Sequence, residues 1–244
     1  MTTASVFLDT AMPFPAGTGR GLNIAVIDSG VNTAHPHICA VTQRVAFGSE
    51  EEASFDDVLG HGTAVTAAIQ EKAPDAHYYM LKLFGSTLRT SSSRLMQAIE
   101  WTIANRMDIV NLSLGTPNLD YRADMRALVE RASTAGAILV AARQAGETPV
   151  LPGMLEGVIG VDVDWSLPRH SYRIGDENGS PRFFASGFPR SLPGIPPARN
   201  LSGISFAVAN LTGVIARGCE RLEHRSVDSV YRLLAGDSLS KQPS

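Results

Sequence analysis

The sequence predicts an α/β fold, a three-layer structure in which a parallel sheet carries helices on both faces. Short apolar runs alternate with amphipathic stretches, the order expected of strand–helix–strand units. The apolar runs are continuous rather than alternating, as in strands covered on both sides. With 244 residues, 44% of them hydrophobic, the chain can bury one sizeable core, and residues 1–244 read as a single domain.

Taken in order, residues 1–20 form an N-terminal arm. The strands are predicted from Leu22 to Ile27, His77 to Leu83, Asp108 to Leu112, Ala137 to Ala142 and Gly157 to Val163. Helices are predicted from His61 to Lys72, Ser93 to Asn105, Asp120 to Ala135 and Ser205 to Leu222. Thr90-Ser91-Ser92-Ser93 offers capping side chains ahead of the apolar stripe Leu95, Ile99 and Ile103. Gly136 supplies a stop just past the Asp120 helix. The stretch from Trp165 to Asn200, rich in Pro, Gly, Ser and Arg, reads as loops and short antiparallel strands. The polar tail, 237–244, is expected to fray.

Composition excludes several function classes. The net charge is −3 and no long basic run is present, so no nucleic-acid partner is expected. No apolar run is long enough to cross a membrane, so no membrane partner is expected either. Met1-Thr2-Thr3-Ala4 lacks the basic-then-apolar order of a signal peptide. The two cysteines, Cys39 and Cys219, lie far apart and read as free buried thiols. Together these features point to the cytoplasm.

Three segments carry chemistry. Asp28 follows an apolar strand at its C-terminal end, where open α/β sheets gather their active sites. His61 stands between Gly60 and Gly62 at the mouth of an apolar helix, with room for its ring to move. Ser205 enters another apolar helix, where free N–H groups favour developing negative charge. Each has an ordinary reading: a turn cap, a structural histidine, an N-cap serine. Together they give Asp, His and Ser in one of the known chain orders for a nucleophile, its base and the base's orienting carboxylate.

Asp28-Ser29-Gly30, His61-Gly62-Thr63 and Gly203-Ile204-Ser205-Phe206-Ala207 resemble the signature motifs of the subtilisin family of serine peptidases. Between them, Ile99 to Gly115 follows a family segment, as do Leu151-Pro152-Gly153 and Val158-Ile159-Gly160-Val161. The resemblance spans residues 20–222 and implies a subtilisin-like fold. It implies Ser205 as nucleophile, His61 as base and Asp28 as its partner. It makes Ser113-Leu114-Gly115 one wall of the substrate cleft and the segment containing Phe84 and Gly85 the other, with Ala142 nearby. A peptide or precursor-protein substrate would lie there as an added extended strand.

The sequence also departs from the family. Where relatives carry an oxyanion-hole asparagine, an ungapped count from Gly136 places Ala145, with Gln144 on the preceding glycine position. Alanine has no side-chain donor. A one-residue slip puts the Gln144 amide there instead, and Arg143 is a third candidate. If Gln144 holds the glycine position, its long side chain would narrow the first pocket, favouring a small residue before the cut. The run Gln70-Glu71-Lys72-Ala73 lacks the calcium loop of many secreted relatives, so no metal or other cofactor is expected at that site; calcium elsewhere stays open. The acidic runs Glu50-Glu51-Glu52 and Asp56-Asp57 read as solvated loops, and His35-Pro36-His37 as structural. Ala209-Asn210 replaces a Pro-His pair of the family.

The leading expectation is a serine endopeptidase acting through an acyl-enzyme on Ser205, suited to a dedicated peptide substrate. One alternative is a transpeptidase or macrocyclase using the same triad. Another is a peptide-binding pseudoprotease with a defective oxyanion hole.

Overall fold

The computed structural model describes residues 5–6, 12–48, 54–177, 180–196 and 199–239. The short strand β1 (Ser5–Val6) belongs to the N-terminal arm. Strand β2 (Asn23–Asp28) shows why the apolar runs are continuous: Ile24 and Val26 enter one core, Ala25 and Ile27 the other. Strand β6 (Ile138–Ala142) divides likewise, with Val140 on one side and Leu139 and Ala141 on the other. The remaining parallel strands are β3 (Gln43–Ala46), β4 (His77–Lys82), β5 (Ile109–Leu112) and β9 (Ile159–Val163).

Two helices cover one face, α2 (Ser92–Ala104) and α3 (Arg122–Thr134), through Leu95, Ile99, Met125 and Leu128. The other face is covered by α1 (His61–Gln70), α4 (Ile204–Cys219) and α5 (Val227–Leu239), through Ile69, Phe206, Leu211 and Leu234. The expected three-layer α/β architecture is therefore the observed one. Ser91 caps α2 as expected, its side chain accepting from the Arg94 N–H at 3.2 Å. Helix α4 is buried all round from Phe206 to Cys219, which explains its nearly unbroken apolar sequence.

The stretch from Trp165 to Asn200 contains an antiparallel hairpin of β10 (Tyr172–Glu177) and β11 (Ser180–Ala185). A two-stranded ribbon, β7 (Gln144–Ala145) with β8 (Thr148–Pro149), stands apart from the main sheet. Among the described residues the main sheet has nine strands in the order β1-β10-β11-β9-β6-β5-β2-β4-β3, with every pair from β11 to β3 parallel. The chain leaves β2 for β3 at the sheet edge, returns through α1 to β4 beside β2, then crosses through α2 to β5 on the other side. That reversal opens a crevice beyond the C-terminal ends of β2 and β5.

Some features differ from the sequence reading. Helix α5 and strand β3 have no counterpart in it. Helix α5 runs through 237–239, into the stretch expected to fray; 240–244 lie outside the described residues. Residues 50–52 also lie outside them. Cys219 is a free buried thiol, pushed up to about 12 by burial, whereas Cys39 is free but exposed rather than buried. Among the described residues, no helix is long and apolar enough to cross a membrane.

Candidate active site

Asp28 ends β2 and is fully buried. Its Oδ1 accepts from the Ser29 N–H at 2.8 Å and from His61 Nδ1 at 2.7 Å. The second bond fixes the imidazole with its proton on Nδ1, leaving Nε2 free to accept. Gly62 allows this approach, since a Cβ there would lie 2.3 Å from the Gly30 carbonyl oxygen and 3.2 Å from Asp28. Gly60, at φ 72°, turns the chain into α1 through the left-handed region.

The loop before α1 is built on Asp57, which the sequence reading took for a solvated acid. Its Oδ2 accepts from the Thr63 N–H at 2.7 Å and the Thr63 hydroxyl at 2.6 Å. Its Oδ1 accepts from the Gly60 N–H at 2.9 Å and the Ser29 hydroxyl at 2.7 Å. Ser29 Oγ in turn accepts from the Gly62 N–H at 2.9 Å. One carboxylate thus ties the end of β2 to the first turn of α1, and holds Asp28 and His61 in register. An aspartate shortly before a helix start is the available sequence signal for this role.

Burial works to lower the pKa of His61, but the hydrogen bond and charge of Asp28, aided by the charge of Asp57, raise it above the ordinary value overall. The ring also packs against Phe206, their centroids 5.8 Å apart. That contact brings His61 to the start of α4, next to Ser205. Helices α1 and α4 themselves lie close: a Cβ at Gly213 would sit 2.9 Å from Lys72 Cβ.

Ser205 stands in the first turn of α4. Its hydroxyl donates to the Ser113 carbonyl at 3.1 Å rather than to His61. Ser113 Oγ donates back to the Ser205 carbonyl at 3.2 Å and accepts from Asn111 Nδ2 at 2.9 Å. Asn111 Oδ1 accepts from the Thr212 hydroxyl at 3.0 Å. This buried chain joins α4 to the end of β5; Asn111 and Thr212 have no role in the sequence reading. The structure therefore brings together Asp28 with His61, and Ser205 with Ser113. Ser205 and His61 share no hydrogen bond here.

Beyond β5, Leu114 and Gly115 are half-buried, and Thr116 pairs antiparallel with Leu151 through two bonds of 2.9 Å. On the facing loop Phe84 is buried at 6% exposure, so its side chain belongs to the interior; Gly85 is half-buried and the exposed part begins at Ser86. Ala142 ends β6 and is buried. Gln144 and Ala145 form β7, paired with Pro149 and Thr148. Gln144 is half-buried and Ala145 exposed. Arg143 Nε lies 4.0 Å from Asp162 Oδ2, so this guanidinium faces a carboxylate.

Among the described residues, no group of three or more His, Cys, Asp or Glu side chains could hold a metal ion. His35 Nδ1 accepts from the His37 N–H at 3.1 Å, so that pair has a local structural bond.

Comparison with known proteins agrees with this geometry. The subtilase family model matches residues 19–162, a span that holds Asp28, His61 and Ser113 and ends before Ser205. A thermostable alkaline protease of Halalkalibacterium halodurans is 30% identical over 236 residues, covering 86% of this chain and 60% of that protein. Subtilisin E of Bacillus subtilis (strain 168) is 33% identical over 134 residues, covering 51% of this chain and 34% of that protein. The chain thus spans about a third of subtilisin E. In fold it resembles the solved structure of the prenylagaramide maturation protease PagA, with a TM-score of 0.64, 23% identity, and coverage of 85% of this chain and 77% of that one.

Proposed function

This chain belongs to the subtilase family, and from that premise we propose that it is a serine endopeptidase working through an acyl-enzyme on Ser205. The observation that carries the proposal is the 2.7 Å bond between buried Asp28 and His61, set beside the serine at the start of α4. Once Ser205 Oγ turns from the Ser113 carbonyl to His61, Nε2 takes its proton as Oγ attacks the substrate carbonyl. The same proton then passes to the leaving amine, and water, activated by His61, releases the acyl group. Asp28 stays ionised throughout and stabilises the imidazolium.

The substrate binds as an extended strand against the backbone of Ser113, Leu114 and Gly115. The Ser205 N–H supplies one oxyanion donor. The Gln144 side-chain amide supplies the second: it is half-buried, Ala145 has no donor, and Arg143 faces Asp162. A dedicated precursor peptide, met in the cytoplasm, suits a small member without the calcium loop of secreted relatives better than general degradation does.

A second reading has a specific observation behind it. The Ser205 hydroxyl is bonded to the Ser113 carbonyl and not to His61, as a peptide-binding pseudoprotease could tolerate. Incubation with a peptide library, read by mass spectrometry, separates the readings. Products carrying one added water, absent with Ser205→Ala, support the peptidase. Products joined without added water identify a transpeptidase on the same acyl-enzyme. Intact peptides that nevertheless bind favour the pseudoprotease.

A further inference from the structure

Beside His61 lies a cavity of about 460 Å³ that the triad does not use. Gly60, Thr63 and Ala64 from the first turn of α1 form part of its wall, and Asn200 and Leu201 close it from the segment before Ser205. It shares no residue with Ser113–Gly115 or with 142–145, to which the proposed function gives the acyl side of a bound peptide. That leaves this cavity, next to His61 through Gly60, as the candidate for the leaving segment.

The polar groups in this cavity are mostly donors. Arg199 is exposed, with no acidic partner among the described residues. Arg190 lies 3.8 Å from Glu71, but that one carboxylate also faces Arg169 and Lys72. Arg190 thus holds only a share of a counter-charge. His37 has a lowered pKa, first through burial and then through the charge of Arg190, so its ring is neutral at neutral pH. His35 accepts at Nδ1 from the His37 N–H, leaving Nε2 as its donor. The acid in the wall, Asp57, has both oxygens occupied by Ser29, Gly60 and Thr63. Leu192, Ile195 and Leu201 add an apolar side.

We infer that this cavity selects a carboxylate on the leaving side of the scissile bond, either an acidic side chain or the C-terminus of the peptide. Guanidiniums recognise carboxylates through charge-assisted hydrogen bonds, and Arg190 and Arg199 both line this cavity. The apolar wall takes the stem of the same residue. This selectivity rests on the peptidase reading, and it names the class of substrate that site would prefer.

Binding tests the inference without requiring turnover. Isotope-labelled Ser205→Ala protein is titrated with tetrapeptides bearing a free N-terminus, and the imidazole signals of His35 and His37 are followed. One set carries glutamate at successive positions and its partner carries glutamine; each is made with a C-terminal acid and with an amide. The expected result is binding about tenfold tighter for the carboxylate than for its amide match, at one position or at the C-terminus. Arg199→Gln and Arg190→Gln should each shrink that ratio. Equal binding of acid and amide, no movement of either imidazole, or a preference that survives both substitutions would overturn it. A Ser205 that forms no acyl-enzyme sinks the peptidase reading instead, a different result from a cavity that ignores charge.

Discussion

Asp28 Oδ1 and His61 Nδ1 are 2.7 Å apart, and the carboxylate that makes this bond is wholly buried. Such a bond holds the imidazole in the tautomer that a general base needs. Asp28→Asn leaves the shape and places an amide there instead. Turnover of a cleaved peptide should fall by a factor on the order of 10⁴, with little change in melting temperature. Stopped-flow or discontinuous peptide assays, with thermal unfolding alongside, check this. A loss of tenfold or less would deny Asp28 its role.

His61 titrates above its ordinary value because Asp28 and Asp57 together outweigh burial. Activity requires the neutral ring, so kcat/KM should rise with pH through a midpoint above that of free histidine. Asp57→Asn removes one of the raising charges, and the midpoint should move to lower pH. The sign for stability is opposite: the raised pKa stabilises the fold most below the unfolded value, and this contribution disappears as pH rises through the folded value. A pH–rate profile of both proteins reads the shift; an unmoved midpoint would leave Asp57 a purely structural clamp.

Gln144 and Ala145 make opposite predictions. If the Gln144 amide is the second oxyanion donor, Gln144→Ala should lower kcat on the order of 10²–10³, the loss known from removing the asparagine donor in a member of this same family. KM should change little. Ala145→Asn should not rescue it; rescue would place Ala145 on the donor position, as the ungapped count from Gly136 does. If Gln144 instead holds the glycine position, peptide profiling of the unaltered chain should show a small residue before the cut.

Lys72 is fully buried between α1 and α4, with Nζ donating to Asn210 Oδ1 at 2.7 Å. Burial lowers its pKa to about 7. The unfolded chain holds the proton to about pH 10.4, so between the two values the unfolded state binds more protons. Stability should therefore rise from pH 7 to 8.5, by up to about 1.4 kcal/mol per pH unit from this group. Cys219 works the other way at higher pH, because its folded thiol resists ionisation. Chemical unfolding of the chain and of Lys72→Met across that window isolates the lysine; parallel curves would contradict it.

Much of this architecture was legible because strands covered on both faces must be continuously apolar, as Ile24 to Ile27 are. The places of Asp28, His61 and Ser205 at the ends of β2, α1 and α4 were legible in the sequence. Helix α5 was not, since only Val230 and Leu234 are fully buried among its described side chains, with Val227, Leu233 and Ala235 half-buried beside them. The clamp on Asp57 was hidden for a different reason: its partners are backbone amides and a serine 28 residues earlier, which no local pattern discloses. Asn111 and Thr212 are distant in sequence and meet only when α4 packs on β5.

The proposed chemistry turns on Ser205 being a nucleophile activated by His61. Reaction with a fluorophosphonate, followed by peptide mapping, tests this most directly. One phosphonylated residue is expected, Ser205, with labelling abolished in Ser205→Ala and strongly slowed in His61→Ala. Absence of labelling in the folded protein, or labelling indifferent to both substitutions, would contradict it.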